Sequence, residues 1–225
     1  MLHSPLVGPG TWRLLLPVLQ AARHEVVVPD LRPAMQGSGP YYPALIGIVH
    51  RAVRDLPAER TVFVAHSGAG TLIPYVAADG FAILLDALLP HPGRCWFDTA
   101  PEVLRTQLLA SVRNGRVPPW HRWRPNGVLE PLLGDAYDGF AAEADDLPLG
   151  YFEESAPGDV PVLVPERCAY LQVSPSYDAE AAEAKARGWR TAYLSLNHLA
   201  MLTHSDEVGR ALNALVRTFA GWIET

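Results

Sequence analysis

The sequence predicts an α/β fold: a mostly parallel sheet with helices on both faces. Two observations predict it. Short, apolar, β-branched runs recur along the chain, and stretches with helical spacing alternate with them. A third observation qualifies the prediction, because the alternation stops between about residues 91 and 165.

The expected strands are residues 25–28 (EVVV), 61–65 (TVFVA), 81–85 (FAILL), 168–173 (CAYLQV) and 190–196 (RTAYLSL). Each is short, apolar and punctuated, as a strand buried on both faces should be. Residues 12–23 carry Leu14, Leu15, Val18 and Leu19 at helical spacing, and residues 43–55 carry Leu45, Ile48, Val49 and Val53. Residues 71–78 form a third expected helix. Residues 178–187 (DAEAAEAKAR) form a fourth, with Gly188 as its stop. Residues 206–222 close the chain with Val208, Leu212, Leu215 and Val216 on one face.

Residues 91–165 are different in kind. The chain has 21 prolines where about 11 are expected at average usage. Ten of the 21 fall in this segment, with eight of the 20 aromatic residues. Helix-like pieces are expected near 102–112 and 137–144. A plain loop of this length is unexpected in a compact domain, and its aromatic content is wrong for disorder. We read it as a small cap inserted into a core domain made of residues 1–90 and 166–225.

Composition narrows the function. The 225 residues are 49% hydrophobic and 19% charged, which excludes a disordered chain. A net charge of -6 argues against a nucleic-acid partner. No apolar run approaches the ~18 residues of a membrane span, and the opening MLHSPLVGPGTW lacks the basic region of a secretory signal. Two cysteines, Cys95 and Cys168, with no zinc spacing, are expected as free thiols, and the cytoplasm as the compartment. The sequence points to no metal and leaves the oligomeric state undefined. Gly8-Pro9-Gly10 and Gly68-Ala69-Gly70 echo a dinucleotide fingerprint but lack its third glycine. The adjacent acids Asp145-Asp146 and Glu153-Glu154 diverge and should not share a metal or a proton.

The chemistry-bearing text is the strand TVFVA running into His66-Ser67-Gly68-Ala69-Gly70 and then a helix. A serine on a sharp strand-to-helix turn stands above the carboxyl ends of the strands, where open α/β sheets bind ligands. The helix start leaves N–H groups unpaired, and Gly68 N–H can face a developing oxyanion. A helix cap is the ordinary alternative role for such a serine.

This text resembles the nucleophile elbow of the α/β-hydrolase family, G-x-S-x-G, with Ala65 and Ala69 in the two glycine positions. The resemblance spans nearly the whole chain and looks closest to the small, cofactor-free, esterase-like members. It implies Ser67 as nucleophile and His198 as base, because Asn197-His198 lies between the last strand and the last helix. It also places His3-Ser4-Pro5-Leu6 where the family has its oxyanion loop, with the usual preceding strands absent or very short. Pro5 has no N–H, so Leu6 N–H becomes the second oxyanion donor, with His3 as a structural loop residue. Two aspartates are placed to act as the acid: Asp86, ending FAILL, and Asp178, following CAYLQV. Asp86 is preferred and Asp178 stays open, since a carboxylate at that helix start has an ordinary capping use.

The resemblance thus implies a serine hydrolase acting on an ester, thioester or lactone of a small apolar molecule. Trp96, Trp120 and Trp123, with Tyr151 and Phe152, are candidate pocket aromatics. Two alternatives remain at this level. One is a non-hydrolytic enzyme on the same fold (lyase, cyclase or acyltransferase), and the other is a ligand-binding module with a degenerate site.

Overall fold

A computed structural model describes residues 1–123 and 127–223. Four parallel strands form the sheet: β1 (Val62–Ser67), β2 (Phe81–Ala87), β3 (Cys168–Gln172) and β4 (Arg190–Tyr193), in that spatial order. On the outer edge of β1, Leu2 makes a single parallel bridge to Ala65, with Leu2 N–H donating to Val64 O and His66 N–H to Leu2 O. Spatial order therefore follows chain order from Leu2 to β4. The loop after Leu2 and the turn after β1 leave the carboxyl ends of neighbouring strands, where open α/β sheets bind ligands.

Period-two alternation sorts the strand side chains into two cores. Phe63, Ala65, Ala82, Leu84, Cys168 and Tyr170 face one side, against Leu45 and Val49 of the helix Tyr41–Val53 and Ala184 of the helix Asp178–Ala186. Val64, Ile83, Leu85, Ala169 and Leu171 face the other, against Leu19 of the helix Leu16–Ala21 and Val208, Leu212 and Leu215 of the helix Ser205–Ile223. Gly188 has φ of 80°, the left-handed conformation expected of a residue that stops a helix.

The expected strand at residues 25–28 does not form. Residues 25–28 meet their neighbour through a single hydrogen bond, Met1 N to Val27 O at 2.8 Å, rather than a ladder. The helix expected at 71–78 is shorter, a 3₁₀ turn Gly68–Leu72 followed by the helix Ile73–Val76. Between β2 and β3 the chain makes short helices, including Glu102–Ser111 and Tyr137–Ala142, and a two-stranded antiparallel ladder that pairs Arg116 with Pro148 and Val117 with Leu147. Phe97, Leu108 and Phe152 of this segment join the first core, and Leu133 and Phe140 join the second. Glu154 reaches out of it to accept from Tyr41 N–H at 2.6 Å and Tyr42 N–H at 2.7 Å, an anion on the first turn of the helix Tyr41–Val53. Both cysteines are free thiols. Among the described residues, no helix is long and apolar enough to cross a membrane.

Candidate active site

Ser67 ends β1 at φ 55° and ψ -126°, a strained conformation for a residue with a side chain. The turn is held because the next elements leave it no other path. Leu88 N–H donates to Ser67 O at 3.0 Å, and a Cβ on Gly70 would lie 2.1 Å from Leu88 O. Gly70 is the position in the elbow where close backbone approach demands glycine. Ala65 and Ala69 are accommodated, both fully buried.

Asp86 owes its direction to a bulge. β1 and β2 pair His66 with Leu85 and then Ser67 with Ala87, so Asp86 is the extra residue, at φ 45°. Tyr170 holds the bulge from β3. Its hydroxyl donates to Ala87 O at 2.8 Å and accepts from Ala87 N–H at 3.0 Å. The carboxylate is thereby turned toward the exits of β3 and β4. Oδ1 accepts from Val173 N–H at 2.9 Å and Ser174 N–H at 3.1 Å, and Oδ2 from Ser174 Oγ–H at 2.5 Å. Oδ2 also meets His198 Nδ1 at 2.9 Å. Burial alone would push the Asp86 carboxyl up. The His198 hydrogen bond and charge, with the Ser174 and Val173 donors, outweigh burial and hold it below the usual carboxylate range.

His198 is fixed on every side. With Nδ1–H on Asp86, its Nε2 is left as an acceptor. Its carbonyl accepts from His66 Nε2–H at 3.0 Å. Its ring lies between the His66 ring, at 4.5 Å, and the Tyr177 ring, stacked at 5.0 Å with a 12° interplanar angle. Asn197 pins the loop: its side-chain oxygen accepts from Leu199 N–H at 2.9 Å, and its amide donates to Thr203 Oγ1 at 3.0 Å. Burial, and then the neighbouring His198, push the His66 imidazole down to about 3, so His66 is neutral at any ordinary pH.

Ser4, Leu6, Val7, His66, Ser67, Trp120, His198 and Leu199 line one cavity of only about 10 Å³. Ser67 Oγ meets the Tyr177 hydroxyl at 3.2 Å rather than the imidazole. Nucleophile–base contacts are often loose without substrate and tighten in the complex. Trp120 lies 5.9 Å from His198. A larger cavity, about 570 Å³, is lined by Met1, Leu19, Val27, Leu56 and Val64 among others, and by none of these site residues.

The structure brings Ser67, Gly68, Leu6, Asp86, His198 and Trp120 to one end of the sheet. Asp178 is not among them: it is exposed and accepts from Gln172 Nε2–H at 2.5 Å, as befits a helix start. Trp96 and Trp123 instead pack on Phe152, at 5.2 and 5.8 Å, and Trp123 Nε1–H donates to Pro118 O. Tyr151 and Phe152 are buried in the same packing. Leu6 N–H already has an acceptor, Ser4 Oγ at 3.3 Å. His3 is structural: Nδ1–H donates to Ser4 O at 2.8 Å, and Nε2 accepts from Leu31 N–H at 2.9 Å. Sequence reasoning missed Tyr177, Ser174, Ser4 and His66 as site residues. Tyr177 and Ser174 sit in the loop searched for an acid, and His66 in the elbow itself. Among the described residues, no group of three or more His, Cys, Asp or Glu side chains is placed to hold a metal ion.

No protein-family model and no curated protein matches the chain. Solved structures do match. An extracellular α/β-hydrolase from a Paenibacillus species, described as sharing structural and functional homology with tobacco salicylic acid binding protein 2, is similar at TM-score 0.72. It is 16% identical, over 95% of this chain and 97% of that one. A pyrethroid hydrolase from Sphingobium faniae is similar at TM-score 0.67 and 18% identity, over 96% and 95% of the two chains. AqDC, solved for recognition and ring-cleavage of the Pseudomonas quinolone signal, is similar at TM-score 0.60 and 15% identity, over 96% and 90%. The chain has the α/β-hydrolase fold.

Proposed function

We propose that this chain is a serine hydrolase that cleaves an ester-like bond (ester, thioester or lactone) of a small apolar molecule through an acyl-enzyme. The observation that carries the reading is the 2.9 Å contact between His198 Nδ1 and a buried, ionised Asp86, beside a serine held at positive φ in the same cavity. Ser67 Oγ attacks the carbonyl as His198 Nε2 takes its proton. Asp86 stabilises the imidazolium and keeps the ring in its tautomer. Gly68 N–H, at the start of the following turn, holds the oxyanion. His198 returns the proton to the leaving group, and water then repeats the sequence to release the acid. Leu6, Val7, Leu199 and Trp120 suit an apolar substrate. Residues 91–165 act as a cap that decides what enters, Trp120 being their representative at the site. The names of the Paenibacillus and Sphingobium proteins support the hydrolase class. The reaction as drawn uses side chains and water alone, in a soluble, cytoplasmic setting.

The test is Ser67→Ala assayed on short p-nitrophenyl esters and acyl thioesters. Turnover should fall by about 10³-fold or more, and an organophosphonate should label Ser67 in the parent only. Unchanged turnover would sink the proposal. The nearly filled cavity favours one second reading, a lyase, cyclisation or acyl-transfer reaction from which water is excluded. Labelled water oxygen in the product decides for hydrolysis, and its absence for the second reading.

A further inference from the structure

We infer that Ser4 is a further catalytic residue, whose side-chain hydroxyl is the second oxyanion donor. The inference rests on the acyl-transfer reading of the Ser67 site. The oxyanion loop here departs from a backbone solution in two ways. Pro5 has no N–H to offer, and Leu6 N–H, the next donor along, points at Ser4 Oγ, 3.3 Å away. The side chain in this loop with a proton to give is Ser4, through its hydroxyl.

Its surroundings fit that use. Ser4 is only 2% exposed and lines the same cavity as Ser67, His66 and His198. A Cβ on Gly68 would come within 3.1 Å of Ser4 Oγ and 3.6 Å of Pro5 Cδ, so glycine at 68 lets the hydroxyl lie against the turn that carries the other donor. A serine hydroxyl has one proton and two acceptor lone pairs. One lone pair takes Leu6 N–H, while the proton has no acceptor among the described residues. Accepting one bond also strengthens the hydroxyl as a donor. The group is held before substrate arrives, because Ser4 O accepts from both His3 Nδ1–H, at 2.8 Å, and Val7 N–H, at 3.1 Å. A buried donor without an acceptor, fixed in place beside a nucleophile, is what electrostatic stabilisation of a transition state requires.

In this scheme Ser67 Oγ forms its bond to the carbonyl carbon, the carbonyl electron pair moves onto oxygen, and that oxygen accepts from Gly68 N–H and Ser4 Oγ–H. The Ser4 proton is shared, not transferred, and collapse of the intermediate expels the leaving group protonated by His198.

The experiment compares Ser4→Ala, Ser4→Cys and Ser4→Thr with the parent on a p-nitrophenyl ester and its thiono analogue, whose sulfur gains little from an oxygen-directed donor. Ser4→Ala should lower kcat on the oxo ester by about 10²–10³-fold with little change in KM. Its loss on the thiono ester should be far smaller, so the oxo preference collapses. Ser4→Thr should recover most of the rate, and Ser4→Cys, which keeps the shape with a weaker donor, should fall between. If Ser4→Ala does not fold, the Cys variant and the oxo-to-thiono ratio carry the test. A kcat for Ser4→Ala or Ser4→Cys within about threefold of the parent, or equal losses on both esters, overturns the assignment while Ser67 labelling and parent turnover stand. No parent turnover and no Ser67 labelling overturns the acyl-transfer reading and this assignment with it.

Discussion

Tyr177 sets a hydroxyl beside Ser67, and it does two separable things. Its ring stacks on His198, and its oxygen holds Ser67 Oγ at 3.2 Å. The stacking keeps the imidazole in plane for Asp86. Whichever hydroxyl donates, the bond engages Ser67 Oγ, and in the proposed reaction it must loosen for Oγ to reach the carbonyl carbon. Tyr177→Phe keeps the first and removes the second. A neutral hydrogen bond contributes about 1 kcal/mol net, so Ser67 in Tyr177→Phe should react up to about fivefold faster with a small phosphonate, followed as the labelling rate by mass spectrometry. An unchanged or slower rate would show that the contact does not restrain the nucleophile. At this scale the placement of Ser67, His198 and Asp86 at one end of the sheet was legible, because each stands at a defined place in a motif. Ser4, Ser174 and Tyr177 were hidden because their roles depend on which loops meet at the end of the sheet, and serine and tyrosine in a loop carry no such signal.

Among the elements, the elbow and the β2 bulge act together. The 3₁₀ turn Gly68–Leu72 presses on the end of β2, and Gly70 is its point of contact, since an added Cβ would lie 2.1 Å from Leu88 O and 3.0 Å from Ala87 Cβ. Gly70→Ala should therefore push the turn off β2 and destabilise the protein by about 1–3 kcal/mol, the usual range for overpacking, read as a lower midpoint in urea. Because Ala87 follows the bulged Asp86, activity should fall by more than stability alone explains. An alanine variant as stable and active as the parent would contradict the packing. The strands β1 to β4 and the helix alternation were readable from apolar runs: β1 to β3 are largely buried on both faces, while β4 alternates half-buried and exposed residues. The exception is instructive: residues 25–28 have strand composition but make a single hydrogen bond, Met1 N to Val27 O, in place of a ladder, and composition does not report a neighbour. The bulge and the Glu154 contact with Tyr41 and Tyr42 were likewise invisible, being products of register and tertiary placement.

For the molecule as a whole, buried imidazoles make acid the weak condition. His3 is held neutral by complementary backbone partners, one accepting from Nδ1 and one donating to Nε2. Burial lowers it from 6.5 to about 4, and His66 to about 3. The unfolded chain binds these protons more readily than the folded one, so stability rises with pH through this window. The contribution is complete above about 6.5 and is lost progressively toward pH 4 and then 3. His3 alone amounts to on the order of 3 kcal/mol. Asp86, whose carboxyl is held low, adds stability that is present above the unfolded carboxylate value and disappears only in stronger acid, as pH falls through its folded value. Burial lowers the Met1 amine from 8.0 to about 5 as well, so denaturant midpoints should fall gently from about pH 8 and more steeply below about pH 6.5, before ordinary carboxylates titrate. A level midpoint down to pH 5 would mean that these histidines are protonated without penalty.

Placing Asp86, the proposed acid, on the β2 bulge divides the labour of the loop that follows β3. Ser174 is tied to Asp86 and Tyr177 stacks on His198, but Pro175 and Ser176 between them are exposed. Those two positions are free to diversify. Replacements there can retune which molecules are admitted while the proton-handling pair, anchored on a strand, keeps its geometry. The arrangement lets selectivity drift over evolutionary time, or be redesigned, without first disabling the reaction.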